Sequence, residues 1–180
     1  NQNDILYRAI SNGGYEVENV FETLSPSMDI QVASNFERLL YDLNEGDDLQ
    51  TIDAMKNIKE KGKHIINQEK LDKINADFLS ARMNEEEVLK TISKVYEKFK
   101  IVLDPHSAIG YGAFDKINLD GNNIVLATAH PCKFPEAIKK AINLKEDLPK
   151  ELMFVMEEKE NYDIIDNEVE KIKQHIKERI

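Results

Sequence analysis

Apolar residues recur three and four positions apart in four separate stretches, and that spacing commits most of this chain to amphipathic helices. From Met28 to Leu43 the stripe is Val32, Phe36, Leu39, Leu40 and Leu43. Asn84 to Phe99 is the clearest case: Asn84 is a helix cap, Glu87 is the return arm of a capping box, and Val88, Ile92, Val95 and Phe99 form the buried face. Phe134 to Ile142 repeats the pattern with Pro135 in the first turn. Asp166 to Ile180 places Val169, Ile172, Ile176 and Ile180 on one side, expected to face inward. Shorter helices are expected at Asn3 to Ile10, Leu49 to Ile58 and Lys70 to Leu79.

Strand signals are sparse. Ile124 to Thr128 is a short apolar run after Asp120-Gly121-Asn122-Asn123, and a second candidate lies near Leu152 to Met156. One or two strands make no independent sheet, so their partners are expected in residues that precede Asn1. The fold class that follows is an α/β fragment, predominantly helical with one or two short strands. The start at Asn1, without a basic, apolar or cleavage-site pattern, reads as a position inside a longer gene product.

Charge and composition narrow the partners. The 180 residues carry a net charge of -10, so the average surface repels phosphate backbones, and neither nucleic acid nor a membrane is expected as a partner. No run approaches the roughly 18 apolar residues of a membrane span. Cys132 is the single cysteine, which rules out an internal disulfide and fits a reducing, cytoplasmic setting.

Three stretches differ from ordinary helix or loop. The first is Ser25-Pro26-Ser27-Met28-Asp29-Ile30 with Ser34-Asn35-Phe36-Glu37-Arg38 after it. At about 100° per residue, Gln31, Asn35, Arg38 and Asp42 share one side of the expected helix. That side reads either as a grip for a phosphate or carboxylate or as a solvated face with an Arg38–Asp42 pair. The second is Asp104-Pro105-His106-Ser107-Ala108-Ile109-Gly110, in which Asp104 before Pro105 caps a helix packed closely through small residues. His106 is open to three readings: general acid or base, substrate contact, or structural histidine. The third is Thr128-Ala129-His130-Pro131-Cys132-Lys133-Phe134-Pro135, a small polar turn leading into a helix, where α/β enzymes place ligand contacts. His130 and Cys132, with His106 and Asp104 elsewhere, permit a metal-site reading that no second cysteine or helical histidine pair supports.

The seven glycines form no dinucleotide or nucleotide-phosphate loop, and there is no nucleophile elbow. The residues by themselves therefore describe a ligand-facing wall of a larger α/β protein, with a non-catalytic helical interaction or regulatory module as the alternative.

Taken in order, these blocks resemble the long branch of the threonine synthase family. Asn3-Asp4-Ile5-Leu6 is similar to the segment that follows that family's glycine-rich cofactor-phosphate loop. Ser25-Pro26-Ser27-Met28-Asp29-Ile30 with Ser34 to Arg38, Asp104-Pro105-His106 with Ala108 and Gly110, and Thr128-Ala129-His130-Pro131 with Lys133-Phe134-Pro135 resemble three family signatures. Similarity runs from Asn1 to about Ile142 and weakens beyond it. Ser107 stands where threonine is expected, and Cys132 where alanine is usual.

The resemblance implies the C-terminal part of a fold type II pyridoxal-phosphate enzyme, a carbon–oxygen lyase of threonine biosynthesis. Such an enzyme converts O-phospho-L-homoserine and water into L-threonine and phosphate. It also implies that Thr128 bonds the ring nitrogen of the cofactor, that Arg38 with Asn35 grips the substrate, and that Ser27, Asp29, His106 and Ser107 are pocket neighbours. The cofactor lysine is expected upstream of Asn1, so residues 1–180 form one truncated catalytic domain, inactive by themselves, whose partner is the missing part of their own chain. Within that domain the blocks fall at 1–45, 46–103 and 104–180.

Overall fold

The structure is a computed structural model that describes residues 1–180. Its elements follow the caps and turn residues of the chain: α1 (Ile5–Asn12), β1 (Gly14–Glu16), α2 (Phe36–Leu43), α3 (Asp48–Lys61), β2 (Lys63–Ile65), α4 (Gln68–Asp77), α5 (Glu85–Phe99), α6 (Pro105–Ile117), α7 (Pro135–Ile142) and α8 (Val169–Lys177). Short 3₁₀ turns lie at Pro26–Met28, Pro131–Lys133 and Lys150–Met156. The chain divides into two units, Asn1–Glu146 and Asp147–Ile180.

The larger unit holds two apolar clusters. In the first, α1 to α4 pack around a two-stranded antiparallel sheet, burying Ile5, Ala9, Tyr15, Phe36, Leu40, Ile58 and Ile74. The hairpin-like pairing of β1 with β2 sets Tyr15 opposite His64 and requires glycine at position 13. Gly13 has φ 77°, and a Cβ there would lie 2.6 Å from the Ile66 carbonyl oxygen. In the second cluster α5 packs against α6 and α7 through Val88, Ile92, Ala108, Ile109 and Ile138. The expected capping box forms: Glu87 N–H donates to Asn84 Oδ1 at 2.9 Å and Asn84 N–H to Glu87 Oε2 at 2.8 Å. Phe99, expected on the buried stripe, is exposed at the end of α5.

Several expectations are corrected. The helix expected from Met28 begins only at Phe36, because the Ala33 N–H is taken by the Tyr15 hydroxyl at 2.7 Å and cannot join a helical ladder. Gln31 therefore does not share a helix face with Arg38; it is buried, and its side-chain oxygen accepts from Arg8 and the Glu18 N–H. Ile124 to Thr128 pairs with no strand of residues 1–180, where its partners were not expected, and Leu152 to Met156 lies in a 3₁₀ turn. The sheet is built instead from Gly14–Glu16 and Lys63–Ile65, where turn glycines allow the two strands to meet. α8 forms, but its stripe of Val169, Ile172, Ile176 and Ile180 is exposed rather than inward.

Polar contacts tie the two clusters together. Asp4, buried at the start of α1, bonds Arg8 Nε at 2.9 Å and also Arg82, which lies just before α5. Burial pushes the Asp4 carboxyl up, but hydrogen bonds and charge from Arg8 and Arg82 outweigh it and hold the group below its ordinary value. A carboxyl depressed in the folded state contributes stability that is complete above its unfolded value and is lost as pH falls through the folded one. Asp4→Asn is therefore expected to be less stable than the parent near neutral pH, with the gap closing as pH drops below about 4. Urea midpoints measured across that range check this, and a gap that stays constant with pH contradicts it.

Candidate functional site

An Asp-Pro pair starts α6 because proline at the first helical position needs no hydrogen-bond partner and the preceding carboxylate accepts the exposed amides. Asp104 does more than cap. Its Oδ1 accepts the His106 N–H and the His106 Nδ1, each at 2.9 Å. Its Oδ2 accepts the Ser107 N–H at 3.3 Å and the Ser107 hydroxyl. The residue is 1% exposed and makes no ion pair with lysine or arginine, so its charge is held by four donors and the positive end of the helix.

This carboxylate orients both neighbours. The Ser27 N–H donates to His106 Nε2 at 3.2 Å, so that nitrogen carries no proton and Nδ1 carries the one shared with Asp104. Phe134 covers the buried ring, with centroids 4.8 Å apart. Ser107, whose proton goes to Asp104, offers its lone pairs outward and accepts the Thr128 N–H at 2.9 Å. The two hydroxyl oxygens of Ser107 and Thr128 lie 3.5 Å apart. Thr128 itself is exposed.

Ser27, His106, Ser107 and Thr128 thus converge from three distant parts of the sequence. Ser27 joins through its backbone, and its hydroxyl makes no hydrogen bond within the chain. Asp29 sits in an adjoining polar knot, where Oδ1 accepts from Asn1 Nδ2 at 2.7 Å, Asn3 Nδ2 at 3.0 Å and the Thr23 hydroxyl at 2.6 Å. Its Oδ2 accepts the Thr23 N–H at 2.8 Å, so the carboxylate shapes the Ser25–Ile30 turn. Asn35 and Arg38 are exposed at the start of α2. No hydrogen bond connects them with the Asp104 group. Arg38 lines a shallow depression with Tyr41, Asp42, Asp48 and Ile52, and the Arg38–Asp42 ion pair does not form.

Two contributors were not among the sequence candidates for the site. In the sequence Asp104 reads as a helix cap, as one of four residues of a possible metal set and as part of a family signature, but not as the carboxylate that His106 and Ser107 share. Phe134 reads only as part of the turn into α7, since its contact with His106 spans 28 positions of chain. His130 accepts the Cys132 N–H at 3.2 Å as the cap of the Pro131–Lys133 turn, and no group of three metal-ligating side chains gathers around it.

Residues 107–176 match the family model described as threonine synthase, C-terminal. A threonine synthase of Pseudomonas aeruginosa is 37% identical over 175 residues, which cover 96% of this chain and 37% of that protein. The threonine synthase of Saccharomyces cerevisiae is 36% identical, covering all of this chain and 40% of the relative. Among solved structures, a pyridoxal-phosphate-bound threonine synthase from Brucella melitensis superposes with a TM-score of 0.85 at 38% identity, over 98% of this chain and 38% of that one. The chain thus spans about two fifths of the length of the curated relatives it matches. Alignment over nearly its whole length, together with the same backbone course, establishes that the chain belongs to the threonine synthase family and matches its C-terminal portion.

Proposed function

We propose that these residues form the substrate-facing and ring-nitrogen side of a pyridoxal-phosphate-dependent threonine synthase, which converts O-phospho-L-homoserine and water into L-threonine and phosphate in the cytoplasm. The observation that carries this reading is that one buried carboxylate fixes His106 and Ser107, which in turn hold the Ser27 and Thr128 backbones. A helical interaction module gives no reason for that arrangement.

The donor set at Thr128 fits the cofactor. Its hydroxyl proton has no acceptor in this chain closer than Ser107 Oγ at 3.5 Å, and the residue is exposed, so the group is free to bond a heteroaromatic ring nitrogen. When bound, pyridoxal phosphate stores the electron pair left on the substrate carbon. This chain's part is to hold and orient: Thr128 at the ring nitrogen, and Ser27, Asp29, His106 and Ser107 around the pocket. His106, fixed with the proton on Nδ1, directs the Ser27 backbone. Arg38 and Asn35 are retained as the grip for phosphate or carboxylate, since guanidinium offers a donor fork to two oxygens.

The lysine that holds the cofactor is assigned to the part of the protein that the relatives have beyond the aligned region. Every lysine of this chain except Lys70 is exposed, and the Lys70 ammonium bonds Asn44 Oδ1 and Gln50 Oε1. Residues 1–180 by themselves, mixed with equimolar pyridoxal phosphate and treated with borohydride, are therefore expected to give no stoichiometric lysine adduct and no threonine. A single modified lysine with turnover contradicts the assignment.

In the full-length protein, Thr128→Val is expected to lower kcat by about tenfold, the worth of one ordinary hydrogen bond. Thr128→Ser is expected to preserve most activity, and steady-state kinetics of both variants decide the point. Arg38→Ala is expected to raise KM for O-phospho-L-homoserine about tenfold or more with a smaller change in kcat. Unchanged KM removes Arg38 from the substrate site.

A further inference from the structure

Residues 119–129 exchange no backbone–backbone hydrogen bond with any part of the protein. Within this stretch Asn123 bonds only the nearby Leu119 and Gly121 carbonyls. The contacts that tie it by hydrogen bonding to the helical body are those of Thr128 with Ser107: the N–H at 2.9 Å and the hydroxyl at 3.5 Å. Val125 lies over Gly110, where a Cβ would stand 3.5 Å from its Cγ1, but this apolar contact is non-directional.

A serine hydroxyl rotates freely unless something claims its proton. Asp104 claims it. With the proton on the Asp104 side, Ser107 Oγ always presents lone pairs to the Thr128 N–H, and the segment is held where that donor meets them. Asp104 is in turn immobile, being 1% exposed, bound by four donors and built into the first turn of α6.

We infer that Asp104, acting through the Ser107 hydroxyl, is the positioning residue that places Thr128, so that a helix-capping carboxylate sets where the ring-nitrogen hydroxyl stands. The consequence for the cofactor rests on the reading of Thr128 given above, whereas the consequence for the backbone does not. Two readouts separate them. One is short-time hydrogen exchange at the Thr128 amide of the full-length protein, resolved by fragmentation mass spectrometry. The other is the affinity of the apoprotein for pyridoxal phosphate, measured by fluorescence titration.

Ser107→Ala keeps the cap bonds of Asp104 to both amides, so the variant is expected to retain a cooperative melt. Thr128 exchange is expected to accelerate about tenfold and the cofactor Kd to rise by a similar factor, the worth of one ordinary hydrogen bond. Ser107→Thr restores both. Asp104→Asn accelerates Thr128 exchange in the parent but adds nothing in the Ser107→Ala background, because the effect passes through that hydroxyl. The Ser107 pair carries the test by itself if Asp104→Asn does not fold. Unchanged Thr128 exchange in Ser107→Ala overturns the inference, and so does an Asp104→Asn effect of full size without the Ser107 hydroxyl. Faster exchange with unaltered cofactor affinity supports the positioning role and overturns Thr128 as the ring-nitrogen partner.

Discussion

The buried Asp104 carboxylate is the constraint on which the site depends. A charge removed from water is costly unless every lone pair finds a donor, and here two amides, an imidazole and a hydroxyl supply them. The same four bonds start α6, select the His106 tautomer and point Ser107 toward Thr128. Stability and the geometry of the candidate site are therefore one problem in this part of the fold: a group that loosens the cap also loosens the His106 and Ser107 side chains.

A rigid body around the carboxylate makes that constraint useful. α5 packs against α6 on one side and α7 on another, with Val88, Ile92 and Ile138 fully buried. Close packing limits how far Asp104 or His106 can move. The Ser27 turn reaches His106 with Met28 packed on the same apolar cluster as α6, and it is held there by the Asp29 knot and by the Leu24 N–H bond to Glu85 at 3.0 Å. Asp4, with Arg8 and Arg82, ties that cluster to the other. Polar bridges set this junction because directional bonds define a relative position, whereas apolar contact tolerates sliding.

Helices with strong periodicity and caps were readable in advance. Asn84 with Glu87, and Asp104 with Pro105, are local signals: the residues that satisfy the helix ends lie within three positions of them. Strands were misplaced for the opposite reason. Ile124 to Thr128 has the apolar composition of a strand, but its pairing needs a partner that residues 1–180 do not supply. Gly14–Glu16 and Lys63–Ile65 look unremarkable singly and pair because Gly13 lets the two backbones approach. Helix α2 was overextended since no pattern near Ala33 announces that Tyr15, 18 residues earlier, takes its amide.

The sequence by itself determined the family resemblance, the predominance of helix and most of the residues gathered around Asp104, because these rest on motifs and on periodicities of a few residues. Tertiary structure decided which candidates meet. It joined Ser27 to His106 across 79 positions and Thr128 to Ser107 across 21, and it left Arg38 and Asn35 exposed with no hydrogen bond to that group. It also turned Asp104 from a helix cap into the centre of the site. The physical reason is that a hydrogen bond depends on the distance between two groups in space, and no pattern along the chain encodes that distance until the apolar clusters have brought the segments together.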